Sequence, residues 1–136
     1  MNLKTVDFLT NTQVFIESEK YNTFLECKFI LISSDTTNYL VFGALHTYNY
    51  HAQLLEQFCL ESSIQSEWKK KPDQYKILDN LYHMKGGGWF RFDFERKILT
   101  VMGMSTAYGR FDEYILSEFV KEHQILKDFD VKISSK

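Results

Sequence analysis

The sequence contains little proline and little cysteine. Among its 136 residues there is one proline, Pro72, and there are two cysteines, Cys27 and Cys59. A single proline argues against an extended linker, and an aromatic content of 16% argues against disorder. Two cysteines without a CxxC spacing are too few for a disulfide framework, so we interpret both as reduced thiols of a cytoplasmic protein.

Neither sign of charge dominates the composition. Lys and Arg total 16 against 18 Asp and Glu, which gives a formal net charge of −2. This balance gives no general attraction to nucleic acid, although a small basic pocket stays possible. No apolar run approaches the roughly 18 residues of a membrane span, and the first ten residues do not resemble a secretion signal. We therefore expect neither nucleic acid nor a membrane as a partner.

The composition and the hydrophobic periodicity predict a single α+β domain over residues 1–136. Apolar residues make up 44% of the chain, enough for one core. Helices are predicted at about Tyr50–Ser62, with Asn49 as N-cap, and at about Phe111–His123. Ser66–Asp73 is predicted to be a surface connection. Strands are predicted at Val14–Ile16, Cys27–Ser33, Tyr39–Leu45, Trp89–Phe94, Ile98–Met102 and Phe129–Ile133. Strands grouped around two separated helices favour α+β over regular βαβ alternation.

Common catalytic motifs are missing. The histidines do not pair with each other or with a cysteine at a usual zinc-ligand spacing, apart from His46 and His51 on an irregular segment. Neither a G-x-S-x-G elbow nor a GxxxxGK[ST] loop is present. We therefore expect no metal and no cofactor.

Three short segments have properties that suit phosphate chemistry. His51 lies in the first turn of a predicted helix, where free N–H groups favour a neutral imidazole, a usable nucleophile or base. The small residues of Ser105–Gly109 precede the second helix, so their amides can converge on an anion. Gly86–Gly88 opens a strand and permits a close backbone approach. Each segment taken alone also fits a plain structural role.

Together these segments resemble the phosphohistidine phosphatase family, also called the janus/ocnus family. The resemblance rests on Tyr50-His51-Ala52, on Gly86–Gly88 and on the pattern Ser105-x-Ala107-Tyr108-Gly109. It extends upstream to Lys28, at the position of a family lysine in an early strand, and to Gly43 before the helix.

The resemblance implies a small single-domain enzyme with a mixed β-sheet and two main helices. Such an enzyme removes phosphate from phosphohistidine without a metal, with His51 as nucleophile or as general base on water. Lys28 would attract the phosphoryl oxygens. The remaining phosphate-binding residues implied are Gly88, Ser105, Thr106 and Ala107.

The sequence departs from the family pattern after the triple glycine. Trp89 stands where the family often has an arginine, and Thr106 stands where better-known members have methionine. Arg91, on the same side of the strand as Trp89, or Arg110, at the start of the second helix, is a hypothetical replacement for the missing charge.

Two functions follow from these observations. The first is a phosphatase acting on phosphohistidine or a related phosphoramidate, in a protein or a small molecule. The second is a non-catalytic module that binds phosphorylated ligands in the same pocket, and the missing arginine favours it. The aromatic content permits a monomer or a weak dimer.

Overall fold

The computed structural model describes residues 1–134. The strands are β1 Asn2–Phe8, β2 Phe24–Ser33, β3 Thr37–Ala44, β4 Ser66–Lys70, β5 Gln74–Ile77, β6 His83–Asp93, β7 Ile98–Met102 and β8 Asp130–Ile133, and the α-helices are α1 Gln13–Lys20, α2 His51–Glu61 and α3 Glu113–Glu122. Six of the strands form one mixed sheet in the order β1-β3-β2-β6-β7-β8, and β4 and β5 form a separate hairpin. Within the six-stranded sheet the pairs β1–β3 and β7–β8 are parallel and the others are antiparallel.

The sheet buries both of its faces, which explains why β2 reads as a continuous apolar run. One face packs against α1 and α3, and it includes the phenylalanines that alternate along β6. The other face packs against α2 and the β4–β5 hairpin. Because side chains alternate along a strand, Lys28 shares this second face with Ile30 and Ile32. The predicted α+β class with a mixed sheet is confirmed.

The structure corrects the predictions for two segments and adds a strand that was not predicted. Val14–Ile16 is not a strand but part of α1, whose first turn is capped by Thr12 through the amide of Phe15. A run of three apolar residues is too short to distinguish the periodicity of a helix from that of a strand. The strand β1 was not predicted, and its partner β3 lies far along the chain. Ser66–Asp73 was predicted as a connection, but it contains β4, which pairs with β5.

The two predicted helices are confirmed as α2 and α3. The residue that precedes α2 as N-cap is Tyr50 rather than Asn49, and the Gln53 side chain accepts a hydrogen bond from the Tyr50 amide. The side chain of Asp112 caps α3 by accepting from the amide of Ile115. No helix among the described residues is long and apolar enough to cross a membrane.

Candidate active site

A cavity of about 340 Å³ lies between the start of α2, the β4–β5 hairpin and the turn that follows β7. Its volume exceeds that of a phosphoryl group and leaves room for the side chain that carries one. The lining residues are Lys28, Asn49, Tyr50, His51, Ala52, Asp73, Gln74, Trp89, Ser105, Thr106 and Ala107. One cavity is therefore lined by three groups that are far apart in the sequence. They are the imidazole of His51, the ammonium of Lys28 and the small-residue turn that begins at Ser105.

His51 is the first residue of α2 and is only 7% exposed. Its Nε2 lies 3.0 Å from the carbonyl oxygen of Gly88. A carbonyl oxygen only accepts, so Nε2 carries the hydrogen and the neutral ring keeps its lone pair on Nδ1. Burial lowers the pKa of His51 to about 4, the Gly88 bond opposes this shift, and the charge of Lys28 adds to it. The imidazole is therefore neutral at pH 7.

Glycine at position 87 makes room for this imidazole. A Cβ added at Gly87 would lie 3.1 Å from Cδ2 of His51 and 2.7 Å from the carbonyl oxygen of Phe29. Such a separation from backbone oxygen is too short for a real side chain. The triple glycine therefore lets His51 reach the backbone of β6, where its hydrogen bond to Gly88 fixes the ring.

Lys28 is a buried cation in the middle of the sheet, with 5% of its surface exposed. Its Nζ donates to the carbonyl oxygen of Asn49 and lies 5.9 Å from the ring centres of Tyr50 and Trp89. Burial lowers its pKa. None of the carboxylates within residues 1–134 forms an ion pair with Lys28. A buried ammonium with only neutral partners favours binding of an anion.

The turn Ser105–Gly109 lines the cavity with Ser105, Thr106 and Ala107. Its ends are joined by two backbone hydrogen bonds between Ser105 and Gly109, and the fully buried Oγ of Ser105 accepts from the amide of Tyr108. In the described part of the chain, the amides of Thr106 and Ala107 have no hydrogen-bond partner. A turn with unpartnered amides is a typical anion-binding arrangement.

The arginines proposed to replace the family arginine lie elsewhere. The guanidinium of Arg91 stacks on Phe24, 4.4 Å from the ring centre. Arg110 donates to the carbonyl oxygens of Gly103 and Ser134. Neither residue lines the cavity, so this geometry gives no support to the replacement hypothesis.

Trp89 stands where the resemblance leads us to expect an arginine. Its ring meets the ring of His51 edge-on, with centroids 5.0 Å apart and an interplanar angle of 86°. It also pairs with Lys28 across β2 and β6. An aromatic ring, rather than a positive charge, therefore lies beside His51 and Lys28.

Gly88 was predicted to contact phosphate, but it contributes its carbonyl oxygen to His51 and does not line the cavity. Sequence reasoning treated Asn49 only as an N-cap and Tyr50 only as part of the Tyr50-His51-Ala52 motif, and it predicted neither to line the cavity. It also missed Asp73 and Gln74, because the hairpin that carries them was interpreted as a solvated connection. No signal in the sequence places that hairpin against the cavity.

The fold and this cavity define a class: a small α+β protein with a buried lysine and a neutral histidine beside a turn that has free backbone amides. The chain belongs to the Janus/Ocnus family, whose family model (Ocnus) matches residues 10–129. The match includes every residue that lines the cavity. A comparison with curated proteins gives no match.

Proposed function

We propose that this protein is a metal-independent phosphatase that hydrolyses phosphohistidine, in a protein or in a small molecule. The observation that carries the proposal is the meeting of Lys28 and His51 in one cavity, where Lys28 has no carboxylate partner among residues 1–134. A buried ammonium attracts a phosphoryl group, and a neutral imidazole can react with it.

The donors around the cavity suit the three oxygens of a phosphoryl group. Nζ of Lys28 supplies positive charge, and the amides of Thr106 and Ala107 supply neutral donors. The Ser105 hydroxyl accepts from the amide of Tyr108, which leaves its hydrogen for a ligand. Phosphoryl transfer depends mainly on positioning and charge compensation, and these groups offer both.

Two routes are compatible with His51. As nucleophile, Nδ1 forms a bond to phosphorus while the bond between phosphorus and the substrate nitrogen breaks. The substrate nitrogen keeps the bonding electron pair, and a protonated substrate ring leaves as neutral imidazole. Water then hydrolyses the phosphorylated His51. As general base, Nδ1 takes a proton from water while the water oxygen attacks phosphorus directly.

Turnover of free phosphohistidine by the wild-type protein and by His51→Asn tests the proposal. We expect the substitution to lower kcat at least 100-fold, the typical minimum for loss of such a group. A chelator should leave wild-type turnover unchanged. Rapid quenching followed by ³¹P NMR distinguishes the routes, because only the nucleophilic route places phosphorus on His51. Full activity of the folded His51→Asn protein would overturn the proposal.

A second candidate function is a non-catalytic module for phosphorylated ligands. Trp89 favours it, because Lys28 is then the one lysine or arginine among the described residues that lines the cavity. Tight binding of phosphohistidine by the wild type without turnover would identify this function.

We place either function in the cytoplasm, where the free thiols of Cys27 and Cys59 stay reduced. We propose a monomer or a weak dimer. Phosphorylated proteins or small phosphoramidates would be the partners, with no role for nucleic acid or a membrane.

A further inference from the structure

Asp73 is the one acidic residue among the described residues that line the cavity. Asp73 lies between β4 and β5, is exposed, and makes no ion pair with Lys28. It is therefore not the counter-ion of the buried lysine. A free carboxylate repels a phosphoryl group, so a cavity built for phosphate alone gains nothing from it.

The hairpin that carries Asp73 is fixed against the rest of the site. The hydroxyl of Tyr108, which belongs to the turn Ser105–Gly109, donates to the carbonyl oxygen of Tyr75 over 2.7 Å. Nε1 of Trp68 donates to a carboxylate oxygen of Glu56 on α2, also over 2.7 Å. The hairpin is thereby attached to the other two elements that form the cavity, α2 and the turn that follows β7. The backbone that carries Asp73 is thus held at the rim of the cavity, and the charge of Asp73 is opposite to that of Lys28.

A ligand that suits this arrangement carries negative charge at one end and a hydrogen-bond donor or positive charge at the other. Phosphohistidine meets both requirements when its ring is protonated, because the ring nitrogen without phosphate then bears an N–H. A carboxylate beside that N–H favours the protonated ring. When the bond to phosphorus breaks, the ring leaves as neutral imidazole, its remaining hydrogen still on the distal nitrogen.

Building on the proposed function, we propose that Asp73 is a specificity-determining residue that accepts a hydrogen bond from the unphosphorylated ring nitrogen of phosphohistidine. Asp73 would select phosphoramidates of protonated rings and disfavour phosphate esters, which lack this donor. Lys28 and the Ser105–Gly109 turn would bind the phosphoryl group common to both classes.

The test compares three ligands on wild-type protein, Asp73→Asn and the control Glu67→Gln. Glu67 is an exposed carboxylate of the same hairpin that does not line the cavity. The ligands are phosphohistidine, phenyl phosphate, which has a ring without N–H, and inorganic phosphate. Dissociation constants come from calorimetric titration, carried out in the His51→Asn background wherever the ligand is hydrolysed, and kcat/KM is measured for the first two ligands with His51 intact.

We expect Asp73→Asn to raise the dissociation constant for phosphohistidine about tenfold, as for loss of one charge-assisted hydrogen bond. Its affinity for phenyl phosphate and inorganic phosphate should stay the same or increase, and Glu67→Gln should change none of the three. An equal effect of Asp73→Asn on all three ligands, or none on phosphohistidine, would overturn the inference even if the protein is a phosphatase. Selective weakening without any turnover would support the inference and refute the phosphatase. A wild type that does not bind phosphohistidine would refute both.

Discussion

Nε2 of His51 donates a hydrogen bond to the carbonyl oxygen of Gly88, 37 positions further along the chain, over 3.0 Å. This contact joins the first residue of α2 to the middle of the sheet. It sets the tautomer of the imidazole and leaves Nδ1 as its basic nitrogen. The same contact depends on Gly87, because a side chain at that position would meet the ring.

Gly87→Ala should displace His51 without altering any polar group. The added methyl would lie 2.7 Å from the carbonyl oxygen of Phe29 and 3.2 Å from Cγ2 of Ile30, so the strands must separate slightly. Overpacking of this kind costs about 1–3 kcal/mol of unfolding free energy. We expect this loss in urea denaturation, together with a clear decrease in kcat. Wild-type stability and an unchanged imidazole NMR spectrum would contradict the explanation given for Gly87.

Lys28→Met should weaken phosphate binding while retaining most of the apolar stem of the side chain. A charged hydrogen bond contributes about 1.5–3 kcal/mol, which corresponds to roughly 10- to 100-fold in the dissociation constant of inorganic phosphate. Stability should change little or increase, because a buried ammonium without a carboxylate partner among residues 1–134 is removed. Calorimetric titration with phosphate and thermal denaturation measure the two effects.

The matched control for Lys28→Met is Arg91→Met on the neighbouring strand β6. Arg91 stacks on Phe24 and does not line the cavity, so its removal should leave phosphate affinity unchanged. Equal weakening by both substitutions would mean that general surface charge, rather than Lys28, attracts the anion.

The depressed pKa of His51 predicts a pH-dependent stability. The pKa is about 4 in the folded protein and 6.5 in an unfolded chain, so the unfolded state binds more protons between these values. The contribution of His51 to the free energy of unfolding should therefore be fully present above pH 6.5. It should be lost as the pH falls toward 4, by about 3 kcal/mol in total. Urea denaturation across this range should show a smaller decrease for His51→Gln. His123 contributes a slope of the same sign in both proteins, because burial also lowers its pKa.

Bound phosphate should reverse part of this pKa shift. An anion in the cavity favours the charged imidazolium and offsets the nearby charge of Lys28. An NMR titration of the His51 ring should therefore give a higher pKa with saturating phosphate than without it. An identical pKa in both conditions would place the anion away from His51.

The predicted α2 and α3 and most strands of the sheet follow from local patterns that are strong in this sequence. The apolar run of β2 predicts a strand that is buried on both faces, and the alternating phenylalanines of β6 predict a strand that buries at least one face. Both strands are observed. Val14–Ile16 was predicted wrongly because the cap at Thr12 determines its conformation, and three apolar residues do not reveal a period.

The sequence by itself determined the α+β class, two of the three α-helices that residues 1–134 form, and the residues His51, Lys28 and Ser105–Gly109 as a candidate set. Their types and their positions relative to helix starts and glycines are local properties. Only the tertiary structure decided that these groups share a cavity, that both arginines point elsewhere and that Asp73 completes the rim. Those outcomes depend on strand order, pairing register and the docking of the β4–β5 hairpin, which are contacts between distant segments that local periodicity does not encode.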